Sequence, residues 1–128
     1  LRNEALYYRA KAYTKQKADK KAMEDYRELA KDTRNPYGAE AKYQVAQSLY
    51  DAKEYAAAEK ELLNYIEQST PHAYWLARSF VLLSDVYHAT GKDLDARQYL
   101  LSLQQNYQGN DDIESMIESR LSKLKVEN

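Results

Sequence analysis

The chain has 128 residues, 44% hydrophobic and 30% charged, enough for one domain that buries about two-thirds of its unfolded surface without covalent staples. Its formal net charge of −1 speaks against nucleic acid as a partner, and the absence of cysteine excludes disulfides, thiolate metal sites and cysteine nucleophiles. There is no apolar run of about 18 residues, so neither a membrane span nor a secretory leader is expected, and the first residue, Leu1, points to an excised piece of a longer protein.

With only three Gly and two Pro, the composition favours helices. In chain order they are expected near 3–15, 19–33, 36–51, 55–68, 71–89, 93–106 and 111–125. The first two flank a lysine-rich turn, Lys15, Lys17, Lys20 and Lys21, which reads as a solvated loop. Asn35-Pro36 and Thr70-Pro71 each put a capping side chain before a proline, so the third and fifth helices should begin at the prolines. Gly91 and Gly109 suit the left-handed residue that ends a helix. Asp111 with Glu114 makes a capping box for the seventh helix, whose Ile113, Ile117, Leu121 and Leu124 form one apolar stripe.

The helices carry an internal period. Ala22, Ala58 and Ala96 recur 36 and 38 residues apart, and twelve residues before each stands another small residue, Ala10, Ala46 or Ser84. Bulky residues follow in register at Tyr13, Leu49 and Tyr87 and at Tyr26, Leu62 and Leu100. Small residues permit two helices to approach closely, and large ones fill the space beside them. The order resembles the tetratricopeptide repeat, most fully in 39–71 through Ala46, Tyr55 and Ala58, and again from Ala77 through Phe80, Leu83, Tyr87, Gly91 and Ala96. The unit from Asn3 matches through Leu6, Ala10, Tyr13 and Ala22. The period exceeds the 34 residues usual for the family, which places extra residues at turns or helix ends.

The resemblance implies an all-α, right-handed superhelical solenoid in a single domain. Three helix pairs (3–36, 37–74, 75–108) would be closed by a capping helix at 111–125, which could alternatively be a free amphipathic helix. It further implies a non-enzymatic adaptor that binds a protein or peptide on the concave face. Carried over position by position, the candidate partner-binding residues are Tyr7, Lys11, Tyr43, Gln47, Tyr50, Arg78, Asp85 and His88, with Glu4, Tyr8, Gln44 and Val81 beside them. The thirteen tyrosines suit such a face, and Tyr7, Tyr43 and Tyr50 would form an aromatic strip across it. The asparagine and lysine set with which some family members hold a C-terminal carboxylate is missing. The longer repeats are similar to those of bacterial cell-envelope repeat proteins, which implies a periplasmic home, with the cytoplasm as the alternative. A structural spacer, or self-association through the repeat ends, is the competing role.

Neither a cofactor nor a metal is expected. His72 and His88 lie too far apart for a helical zinc pair, and Ser84, Asp85 and His88 lack an oriented base behind the histidine. The isolated glycines cannot build a phosphate loop.

Overall fold

The computed structural model describes residues 2–68 and 70–124. Among them every regular element is helical: α1 (Asn3–Lys15), α2 (Asp19–Leu29), α3 (Pro36–Asp51), α4 (Tyr55–Glu67), α5 (Ala73–Ala89), α6 (Asp93–Asn106) and α7 (Ile113–Leu121). The helices pack as hairpins, α1 on α2, α3 on α4 and α5 on α6, and successive hairpins join through α2 to α3 and α4 to α5. The odd-numbered helices also pack in series, α1 on α3, α3 on α5 and α5 on α7, whereas the even-numbered helices lie farther apart, α2 and α4 meeting through the Arg27–Glu61 ion pair at 3.8 Å. The odd helices therefore form one continuous row, against which the even helices pack.

The small residues picked out by the period lie inside the helix packing: Ala10, Ala46, Ser84, Ala22, Ala58 and Ala96 are all buried. Bulky partners Leu29, Leu49, Leu62, Leu83 and Leu100 fill the space around them, burying about 1.5–3 kcal/mol of apolar transfer free energy per large side chain. A second core of Ala77, Val81, Leu100, Leu103, Ile113 and Ile117 seats α7 against α5 and α6.

The turn inside each hairpin repeats in detail. Residues 17, 53 and 91 are left-handed (Lys17 φ 60°, Lys53 φ 61°, Gly91 φ 79°). The following N–H groups of Ala18, Glu54 and Lys92 reach back to Tyr13, Leu49 and Tyr87 O at 2.8, 2.9 and 2.7 Å. These are the two-bond helix endings that close a chain reversal in three residues. Glycine adopts this conformation freely and lysine does not, so Lys53→Gly is expected to raise stability by about 0.5–1 kcal/mol. A melting temperature higher by about 2–4 °C in calorimetry would show it, and a lower one would refute it.

The connections from α2 to α3, α4 to α5 and α6 to α7 are longer than these turns, and the helices contribute to the longer period too: α3 and α5 have 16 and 17 residues against 13 in α1. Four expectations need correction at these places. The second helix stops at Leu29 rather than near 33, because Asp32 Oδ1 accepts from Arg34 N at 3.1 Å and Thr33 is buried, donating to Gln68 Oε1 at 2.6 Å. Pro71 does not open α5. Thr70 Oγ1 instead donates to Thr33 O at 2.9 Å, His72 Nε2 lies 2.7 Å from Arg34 O, and the helix begins at Ala73. Gly109 is not left-handed. The capping box at Asp111 and Glu114 is also absent: α7 begins at Ile113, whose N–H donates to Asp111 Oδ1 at 3.0 Å, and Glu114 Oε1 accepts from Gln104 at 3.1 Å. Asn35 behaves as expected, its Oδ1 accepting from Gly38 N at 2.8 Å with Pro36 at the first helical position. The seventh helix is helical only to Leu121, and the expected end at 125 lies outside the described residues.

Candidate functional site

The polar side chains of the odd row meet in three groups. At its start, Glu40 of α3 is nearly buried; its Oε1 accepts from Tyr7 OH at 2.8 Å and its Oε2 lies 3.3 Å from Lys11 Nζ. Lys11 also sits 4.8 Å over the Tyr7 ring. Tyr7 and Lys11 thus direct their polar atoms inward, to a carboxylate that needs them. Outside them, Tyr8 remains 59% exposed against Tyr7, which in turn packs on Tyr37.

In the middle, Tyr43 is only 5% exposed and packs on Trp75. The Arg78 guanidinium lies 4.8 Å over the Tyr43 ring and donates to the hydroxyls of Tyr43 and Tyr74 at 3.0 and 2.9 Å. Burial holds the Tyr43 hydroxyl above its ordinary pKa despite Arg78, so it stays protonated at neutral pH. Tyr50 pairs with Tyr55 rather than with Tyr43. Among the described residues no ring contact joins Tyr7, Tyr43 and Tyr50, and in place of the expected aromatic strip there are three separate clusters.

The third group lines a cleft of about 390 Å³ between α3, α5 and the end of α7: Gln47, Tyr50, Asp85, His88, Arg120 and Lys123. Arg120 reaches Asp85 with both arms, at 3.2 and 3.3 Å. His88 Nδ1 lies 2.8 Å from Asp93 Oδ1. Gln47 is shared with a second cleft of about 460 Å³ on the other side of α3, whose walls include Thr14, Met23, Tyr26, Gln44 and Asp51. Four of the eight candidate residues, Gln47, Tyr50, Asp85 and His88, therefore converge on one cleft. Tyr43 and Arg78 lie beneath it, and Tyr7 and Lys11 stand apart.

Burial is the largest influence on Asp85 and raises its pKa, outweighing Arg120, Lys123 and His88, which lower it. The folded chain then holds this proton more tightly than the unfolded chain. Asp85 contributes most below its unfolded pKa, and that contribution is lost as pH rises through the folded value. Asp85→Asn is expected to match or exceed wild-type stability at pH 7 and to flatten the acid-side dependence. A less stable variant at pH 7 in paired thermal melts would show instead that the Arg120 pair is a net gain.

Spacing along single helices could not reveal Glu40, Trp75, Tyr74 or Arg120. A signal was present: Tyr7 and Glu40, Tyr43 and Arg78, and Asp85 and Arg120 are separated by 33, 35 and 35 residues, about one repeat. Complementary polar residues one period apart face each other across neighbouring odd helices.

Ser84, buried in a seam, donates its hydroxyl to Val81 O at 2.6 Å, so it has no bond to His88 to activate it. Among the described residues no group of three or more His, Asp or Glu could hold a metal ion, and no helix is long and apolar enough to cross a membrane.

Fold and site together define an all-helical chain with a polar, cleft-bearing row of odd helices. No protein-family model matches the chain, and no curated protein matches its sequence.

Proposed function

We propose that the chain is a non-enzymatic adaptor: three tetratricopeptide-like helix pairs in a right-handed solenoid, closed by α7, that bind a peptide segment of another protein on the odd-helix face. The observation that carries this reading is the pair of clefts meeting at Gln47, one on each side of α3. The closer packing of odd helices on odd helices supports reading their face as the concave one, and the matching turns at 17, 53 and 91 support a repeat. Tyr50, His88 and Lys123 present an aromatic edge, an imidazole and an ammonium around the opening, a mixture suited to a protein surface rather than to a small apolar ligand.

Affinity capture from a native extract tests this, with wild type beside a Tyr50→Ala, Lys123→Glu double variant that leaves the buried Tyr43 intact. A protein retained by wild type and lost by the folded variant is the expected result. Equal capture would overturn the adaptor reading and favour a spacer or self-associating role, for which the exposed Tyr8 beside Tyr7 and Tyr37 is the available surface.

A further inference from the structure

Two chains of hydrogen bonds run outward from Arg78. Along one, Nη2 donates to Tyr43 OH at 3.0 Å, Tyr43 OH donates to Gln47 Oε1 at 2.8 Å, and Gln47 Nε2 donates to Asp51 Oδ1 at 2.9 Å. Along the other, Nη1 donates to Tyr74 OH at 2.9 Å, and Tyr74 OH donates to Asp112 Oδ1 at 2.9 Å.

Chemistry permits only this direction. A guanidinium donates and never accepts, while an ionised carboxylate accepts and never donates. Each hydroxyl between them receives a hydrogen from Arg78 and must give its own outward. The amide of Gln47 is therefore oriented from both ends: its oxygen faces the Tyr43 hydroxyl and its nitrogen faces Asp51. That conclusion does not depend on telling amide oxygen from nitrogen by their positions. One hydrogen of Nε2 goes to Asp51. The second has no partner among the described residues and is carried by the side chain that lines both clefts.

We propose that Arg78 is a positioning residue that fixes the Gln47 amide, so that the odd-helix face offers an N–H donor to a main-chain carbonyl of an extended peptide. This rests on, and deepens, the adaptor reading. Extended rather than helical peptide follows from the acceptor: helix carbonyls are already bonded within the helix, whereas those of an extended segment are free. The rings of Tyr43 and Trp75 hold the guanidinium in place, 4.8 and 5.7 Å from their centroids. The same guanidinium also ties the start of α7, through Tyr74 and Asp112, to α5.

Side-chain amide NMR of the 15N-labelled chain tests the assignment, with N-methylacetamide as the probe for a trans peptide carbonyl. In wild type, one Gln47 amide proton is expected to exchange about tenfold more slowly than the other, the factor that one hydrogen bond of ordinary net strength produces. Tyr43→Phe and Arg78→Met, which leave only the Asp51 end to orient the amide, should reduce the difference, and Tyr74→Phe, which cuts only the other chain, should keep it in full. Tyr43→Phe retains the buried ring, so it decides the matter even where Arg78→Met fails to fold. N-methylacetamide should shift the faster Gln47 proton in wild type and Tyr74→Phe, leaving exposed Gln108 unmoved.

Equal exchange in wild type, or an asymmetry undiminished in Tyr43→Phe, overturns the role of Arg78. Distinct protons with no response to N-methylacetamide overturn the carbonyl assignment. Failure of the adaptor reading is separately visible: the asymmetry would persist while Tyr50→Ala, Lys123→Glu captured as much protein as wild type.

Discussion

Replacing Gly38 with alanine is expected to cost about 3 kcal/mol, and replacing it with valine to abolish cooperative unfolding. Gly38 stands in the first turn of α3 with its N–H donating to Asn35. A Cβ added there would lie 1.8 Å from Asp32 O, 2.7 Å from Leu29 O and 2.8 Å from Asp32 C. All three are backbone atoms of the α2 end and the loop after it, so no side chain can swing aside. Relief requires moving α2 relative to α3, the joint between the first and second hairpins. Gly91→Ala is the comparison: nothing lies within 4 Å of its added Cβ, and its cost is the left-handed φ alone, about 1 kcal/mol. Urea unfolding of the three variants measures the difference. A Gly38→Ala protein within about 0.5 kcal/mol of wild type would mean the joint is soft, contrary to close packing there.

Ala58→Leu should destabilise by about 1–3 kcal/mol or more, while Ala56→Leu and Ala57→Leu stay within about 0.5 kcal/mol of wild type. The three alanines are consecutive on α4, yet only Ala58 is buried, at 0% exposure, in the same seam position as Ala22 and Ala96. Leucine adds three heavy atoms where two helices approach through a methyl group. Propensity barely distinguishes the substitutions, since leucine is nearly as good a helix former as alanine. Denaturant midpoints therefore read seam packing directly. Equal stability of all three variants would remove the physical meaning of the small-residue period.

How far each part of the molecule was legible depended on how far apart its interacting residues lie. Asn35 as a cap was readable because the acceptor and the Gly38 N–H it serves are three residues apart, and Gly91 because its φ is a property of one residue. Thr70 has the same cap-then-proline appearance as Asn35, but its hydroxyl is drawn to Thr33 O on the preceding interhairpin loop, so α5 starts later. Lys17 and Lys53 show the converse. The turn imposes a left-handed backbone on residues whose type does not request it.

The candidate site divides in the same way. The resemblance to the tetratricopeptide repeat implied Gln47, Tyr50, Asp85 and His88 as partner-binding candidates, and the structure brings these four to one cleft. The same resemblance implied Tyr43 without revealing that Trp75 and Arg78 of the neighbouring helix cover it.

By itself, the sequence determined the helical class, the period and the small residues that lie inside the helix packing, because these follow from spacing along single helices. The tertiary structure alone decided that Arg120 pairs with Asp85, that Arg78 orients Gln47 through Tyr43, and that Gly38 must lack a side chain. The first two couple residues about one repeat apart across neighbouring odd helices, and the third reflects the approach of two backbones at a hairpin joint. Such distances are set by how helices pack, and no local pattern in the chain encodes them.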